Sequence, residues 1–158
     1  NHGRTTKKRR ISTGYLHSWE YLAYANLARF FSSNSKVSFQ VGKAYHNWIE
    51  IQGFDNRFHH GDAIKFHGGI GGVTVPLKKK LAQWDKQRKA DYDWVGHFHQ
   101  YLDDWRVTLC GCLVGYSPYA LEIGAEFQEP TQTFGVIDRE YGKVLAMPVY
   151  CEEAKRPH

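Results

Sequence analysis

Cysteine is scarce in this chain and odd in number: Cys110, Cys112 and Cys151. Three thiols cannot build a closed disulfide framework, which excludes a small bridge-stapled secreted scaffold and points to a reducing compartment. Cys110-Gly111-Cys112 has no second cysteine pair to complete a zinc site. It lies in the apolar stretch 107–114, which reads as a strand carrying buried thiols. Long apolar runs are missing as well. None approaches the ~18 residues of a membrane span and no signal peptide is visible, so a cytoplasmic protein with no membrane partner is expected. There is no internal repeat and no linker. An initiating methionine is also lacking: the chain opens on Asn1 and enters a polar, basic loop directly. A fragment, a processed product or one half of a split protein is therefore expected.

What remains is an ordinary globular composition. With 158 residues, 42% hydrophobic and 23% charged, the chain suits one domain over 1–158 rather than two. Trp19, Trp48, Trp84, Trp94 and Trp105 are spread along it, which suggests several packed layers. The formal net charge of +5 is distributed unevenly. Lys7, Lys8, Arg9 and Arg10 form one basic run, and Lys78, Lys79 and Lys80 a second. Such runs are either solvated faces or contacts for a polyanion, whose phosphates they neutralise with release of counterions.

Periodicity outlines the elements. Trp19, Leu22, Ala23, Leu27, Phe30 and Phe31 have amphipathic helical spacing over 18–31. Alternation over 36–41 and 45–51 around Gly42 predicts a hairpin, with a further strand ending at 57–60. The glycine-rich stretch 61–72 reads as a loop, and its part 68–72 either as a surface loop or as a phosphate cradle ahead of a helix. That helix is expected over 75–90, with Pro76 in its first turn, where a missing N–H costs nothing. A short strand at 93–95, two or three strands between 105 and 114, a short helix or turn at 118–124 and a last hairpin over 131–138 and 143–150 complete an α/β unit.

Nine histidines supply the candidate chemistry. In Asp93-Trp94-Val95-Gly96-His97-Phe98-His99 a strand feeds a glycine and then two imidazoles flanking an apolar residue. At extended spacing His97 and His99 would point the same way, with Phe98 turned to the core. His59-His60-Gly61-Asp62 repeats the order strand, histidine, glycine, loop. A β-α-β crossover sets the C-terminal ends of its parallel strands side by side, which would bring His60 to the His97/His99 pair. His17, His46, His59, His67 and His158 match no motif.

These residues carry a resemblance. Gly-His-x-His after a strand, preceded by a His-Gly loop, is similar to the calcineurin-like metallophosphoesterase family. Asn1-His2-Gly3-Arg4 resembles the remainder of that family's Gly-Asn-His-(Asp/Glu) motif. The tract Gly115-Tyr116-Ser117-Pro118-Tyr119 looks similar to phage-type phosphoesterases and DNA exonucleases, which would set the protein in a host cytoplasm. The resemblance implies the C-terminal part of a metallophosphoesterase-like β-sandwich flanked by helices. It further implies two divalent ions, Mn²⁺ first with Zn²⁺ or Fe as alternatives. Asn1, His60 and His97 resemble ligands of the second ion, and His99 a ligand of the first. His2 resembles the residue that protonates the leaving group while a metal-bridging hydroxide attacks phosphorus.

Arg4, Lys7 and Lys8 lie within a few residues of His2, as candidate holders of flanking phosphates or as solvent-exposed loop charges. The family's Asp-x-His and Gly-Asp-x-x-Asp motifs would precede Asn1, and Gly3 stands where an acid commonly follows the histidine. All four candidate ligands here are neutral. Two ions ~3.5–4 Å apart repel strongly without a bridging carboxylate, so the chain alone is expected to hold at most one tightly. An upstream segment or a second chain would complete the site. The rival expectation is an inactive basic module that keeps the fold and binds nucleic acid.

Overall fold

Tyr92–Val95 is buried on both faces, and the sheet is built outward from it. The computed structural model describes residues 3, 5–6, 14–65, 72–122 and 127–151, without the side chain of Tyr119. In chain order, after a 3₁₀ turn at Gly14–His17, the elements are α1 (Trp19–Phe30), β1 (Asn47–Ile51), β2 (Phe54–His59) and α2 (Thr74–Trp84). They continue with β3 (Tyr92–Val95), β4 (Leu102–Asp104), β5 (Val107–Leu109), α3 (Pro118–Glu122), β6 (Thr131–Asp138) and β7 (Gly142–Tyr150). The chain divides into two compact units, Asn1–Asn47 and Trp48–His158.

The first unit is organised by a helix cap. Ser18 holds extended backbone angles and its Oγ accepts the Tyr21 N–H at 3.2 Å, which satisfies one of the open donors of α1 and stabilises it by about 1 kcal/mol. After the helix, the Asn34 carboxamide accepts the Lys36 N–H and the Asn34 carbonyl accepts the Val37 N–H. Those two bonds turn the chain locally, so the strand expected over 36–41 does not form.

In the second unit the sheet order is β1-β2-β3-β5-β4. β1 and β2 are joined by Gln52-Gly53, at φ 55 and 88, the two-residue geometry in which both central residues are left-handed. This hairpin replaces the one expected around Gly42. β2 pairs parallel with β3, so that His59 sits opposite Val95, and β3 pairs parallel with β5. The first parallel pair is joined through α2, and β4 runs antiparallel to β5.

Alternation along the strands makes three layers. On one face Leu77 and Leu81 of α2 pack on Val95, Val107 and Leu109, with Ile64 and the edges of Trp84 and Phe98. Fully burying each such aliphatic side chain stabilises by about 1.5–3 kcal/mol. On the other face lies the β6–β7 hairpin, which supplies the second layer of a sandwich. Gly135 lies flat against Trp94, where an added Cβ would stand 2.4 Å from the indole. The Tyr92 hydroxyl accepts the Lys143 N–H at 2.8 Å. The Lys143 ammonium, buried over the Tyr92 and Trp94 rings, reaches Asp103 at 2.7 Å and Thr108 at 3.1 Å. The chain is thus mixed α/β, a five-stranded sheet with α2 on one face and a strand pair on the other.

α2 ends at Trp84, short of the expected 90, because Asp85 is drawn into an ion-pair network and Gln87 folds back on the Trp84 carbonyl at 3.0 Å. Cys110 and Cys112 follow β5 and are half-buried instead of lying within a strand, and Cys151 is exposed. Among the described residues no helix is long and apolar enough to cross a membrane.

Candidate functional site

The parallel pairing of β2 with β3 delivers two loops to one edge of the sheet. His60 leaves β2 and His97 follows β3 by one glycine. Their rings meet with His60 Nε2 and His97 Nδ1 3.2 Å apart, centroids 4.9 Å apart and planes at 70°. Neutral imidazoles at this separation share one hydrogen bond, one ring donating and the other accepting. Two imidazole nitrogens bound at about 2.0–2.1 Å to one tetrahedral ion would stand roughly 3.3 Å apart, so the same spacing suits a shared cation.

One glycine makes the approach possible, and it serves the other loop. Gly61 has φ +97, and an added Cβ would stand 2.8 Å from Val95 Cγ1, 3.1 Å from the Gly96 carbonyl and 3.4 Å from His97 Cβ. At Gly96 the demand is slight, since a Cβ there would meet the His60 carbonyl and Nδ1 at 3.4 and 3.6 Å, ordinary contact distances. The Gly96 N–H also binds the His59 carbonyl at 3.2 Å, and the Ile64 N–H binds the Gly61 carbonyl at 2.8 Å, so each loop is tied down directly after its strand.

His97 itself is strained. It sits at φ 73 between Gly96 and Phe98, and the Phe98 N–H closes back on the Gly96 carbonyl at 2.9 Å. A three-residue turn with a positive central φ is the rare form of the γ-turn, and such strain concentrates where a side chain must be aimed. His99 is also left-handed at φ 57. The 97–99 segment is therefore not extended, which corrects the expectation that alternation alone aligns its two histidines. Phe98 does pack on the core.

The expected ligands divide into three sets. His60 and His97 are brought together. His99 is half-buried beside them in sequence, yet no group of three or more His, Cys, Asp or Glu that could hold a metal occurs among the described residues. Asp62, the carboxylate nearest in sequence to His60, joins no such group either. Asn1, His2, Arg4, Lys7 and Lys8, together with positions 66–71 of the glycine-rich loop, lie outside the described residues.

Behind the pair stands a support that sequence reasoning missed. Arg57 is fully buried and binds Asp93 through two nitrogens, at 2.6 and 3.1 Å, and Asp85 at 3.0 Å. Arg106 reaches Asp85 at 2.5 Å, and the Arg57 guanidinium lies 5.3 Å from the Trp48 ring and 5.6 Å from the Trp84 ring. Burial pushes the Asp93 carboxyl up from its ordinary range, against the pull of Arg57 and Arg106. His59, with its side chain fully buried, lies 3.8 Å from the same carboxylate and edge-on to Trp84. The network clamps β2 to β3 just behind the loops. A clue was present in the sequence: Arg57 and Asp93, 36 residues apart, interrupt two strand patterns at matching positions, as His60 and His97 do at 37.

Fold and site together define an α/β scaffold with imidazoles at the C-terminal edge of adjacent parallel strands, the usual location of ligand sites in open α/β sheets. No protein-family model matches the chain, and no curated protein matches it. Among solved structures it is similar to Vps29 of Entamoeba histolytica complexed with Zn²⁺, at 20% identity and a TM-score of 0.45 over 71% of this chain and 63% of that one. It is likewise similar to a single mutant of that Vps29, at 19% identity and a TM-score of 0.44 over 73% and 65% of the two chains. The chain thus spans less than two thirds of the length of these structures.

Proposed function

We propose that this chain is part of a metal-dependent phosphodiester hydrolase acting on nucleic acid, in which His60 and His97 share one divalent ion. The observation that carries the reading is the 3.2 Å separation of His60 Nε2 and His97 Nδ1, reached from two loops whose motifs resemble those of metallophosphoesterases. The pair would take an imidazole-tolerant ion, Mn²⁺ first, with Zn²⁺ or Fe as alternatives. Such an ion supplies Lewis acidity and a nucleophile near neutral pH. The chain's own part is to hold two neutral ligands at a fixed angle, with Gly61 admitting the approach and the Arg57–Asp93 clamp limiting its drift. Asn1 and His99 as further ligands, His2 as proton donor and Arg4, Lys7 and Lys8 as phosphate contacts belong to the same reading. Carboxylates from an upstream segment or a second chain would offset the charge of a second ion.

One observation favours a second reading, a basic nucleic-acid-binding module without catalysis: no third metal-binding side chain joins the pair among the described residues. Hydrolysis of bis-p-nitrophenyl phosphate and single-stranded DNA by the complete encoded polypeptide with Mn²⁺ separates the two. The enzyme reading expects activity that is abolished by chelation and by His97→Ala, and retained in His46→Ala. Equal activity in both variants would remove the site assignment. Binding of DNA without hydrolysis of either substrate favours the module.

A further inference from the structure

The turn that follows His60 meets α2 in a shallow groove of about 220 Å³, lined by Ile64, Lys65, Pro76, Lys79, Lys80 and Gln83 among others. None of its lining residues is acidic. Pro76, Lys79, Lys80 and Gln83 follow the i, i+3, i+4, i+7 spacing of one helix face, while Leu77 and Leu81 hold the opposite face in the core. The lysine run 78–80 is divided by this geometry. Lys78 turns to Asp104 at 2.5 Å, whereas Lys79 and Lys80 line the groove with Lys65. Lys65 and Lys79 have no ion-pair partner among the described residues, and the Lys80 ammonium rests 5.5 Å from the Trp84 ring, which limits the freedom it loses on binding. Beneath them Ile64 is only 3% exposed, and its N–H is bonded to the Gly61 carbonyl, so the floor is fixed.

We propose that this groove binds backbone phosphates of single-stranded nucleic acid, leading the strand toward the His60/His97 pair. The inference rests on the hydrolase reading for its direction and on charge for its ligand. Three cationic side chains with no neutralising carboxylate among the described residues form a surface that a polyanion neutralises. The cavity is smaller than the roughly 300–1,000 Å³ of drug-sized ligand sites, and phosphate groups with their bases outside match it better than a buried small molecule. The groove is tied to the histidine loops through its floor: Ile64 is bonded to the Gly61 carbonyl, directly after His60, and belongs to one core cluster with Val95, the last residue of β3 before Gly96 and His97.

The test is fluorescence anisotropy of a labelled oligothymidylate in chelator-containing buffer, using the full protein and salt from about 50 to 200 mM. The Lys65→Gln/Lys79→Gln variant removes two exposed charges, and Lys86→Gln/Lys89→Gln removes the same charge from exposed positions outside the groove. Circular dichroism checks that both fold. The groove variant is expected to bind about tenfold more weakly at the lower salt, with the slope of log affinity against log salt reduced by roughly 1.4, two contacts at about 0.7 each. The control should keep the wild-type slope. Equal effects of the two variants, or no effect of the first, would overturn the proposal. Hydrolysis of bis-p-nitrophenyl phosphate, which carries no further backbone phosphates, is read in parallel with Mn²⁺ in place of the chelator. If the wild type fails to hydrolyse it but the groove variant alone loses oligonucleotide affinity, the hydrolase reading falls and the groove stands.

Discussion

Replacing Gly61 with alanine isolates what holds the two histidine loops together. The residue combines a backbone angle of φ +97 with a crowded surrounding, whereas Gly53 has nearly the same angle, φ +88, and nothing within 4 Å of an added Cβ. Forcing an L-residue into that region costs about 1–2 kcal/mol at either site. At Gly61 the new methyl would also press on Val95 Cγ1 at 2.8 Å and the Gly96 carbonyl at 3.1 Å, and overpacking of this kind adds about 1–3 kcal/mol. Gly61→Ala should therefore lose about 2–5 kcal/mol against about 1–2 for Gly53→Ala. In a chain of this size the first loss lowers Tm by roughly 5–15 °C. Urea unfolding followed by circular dichroism measures both variants on one scale. The methyl also displaces the Gly96 carbonyl and His97, so Gly61→Ala should weaken Co²⁺ or Mn²⁺ binding while Gly53→Ala leaves it alone. If the two variants agree within about 0.5 kcal/mol, the interlocking of the loops is wrong and Gly61 is only a turn glycine.

Arg57→Met strands the buried Asp93 carboxylate and should cost about 3–5 kcal/mol in the same unfolding assay, with a companion Asp93→Leu recovering much of it; an unrecovered double variant would argue against the pair as a unit. Loss of one of two imidazoles from a shared ion should lower its affinity at least about tenfold in His60→Ala, measured by calorimetric titration with Co²⁺, and titration indistinguishable from wild type would contradict the pairing. Burial pushes the Cys110 thiol up, so iodoacetamide should modify it far more slowly than the exposed Cys151, as followed by mass spectrometry. The N–H groups of Tyr141 and Glu140 hold the Asp138 carboxyl below its ordinary value of 3.8. A lowered folded value means that its stabilisation is present above 3.8 and lost as pH falls through the folded value, so the gap between wild type and Asp138→Ala should close in strongly acidic buffer.

Local signals carried much of the fold. The 3.6-residue spacing from Trp19 to Phe30, the proline in the first turn of α2 and the hairpin around 139–141 were all legible, because each rests on residues close in sequence. Of the hairpin expected over 36–41 and 45–51 only the second strand forms, as β1, because alternation cannot reveal whether a strand has a partner, and Asn34 engages the N–H groups of Lys36 and Val37. The early stop of α2 depended on Asp85 meeting Arg57 and Arg106, a contact that no helical period encodes.

The histidine pair was legible for a different reason. Repetition of strand, histidine and glycine on either side of a helical segment implies a parallel crossover, and the handed, short connections of such units leave little choice about which ends meet. The extended 97–99 segment was not foreseen correctly, because a periodicity argument holds only where the ladder continues, and the ladder stops at Val95 opposite His59. Beyond that register the backbone is set by glycine permissiveness and crowding. It is there that His97 takes a left-handed turn and swings its Nδ1 toward His60. The geometry of the site thus follows from strand pairing up to its last rung and from Gly61 past it. A substitution at Gly61, where backbone angle and crowding act together, should consequently disturb the pair more than one at Gly96, where an added Cβ would meet His60 only at ordinary contact distance.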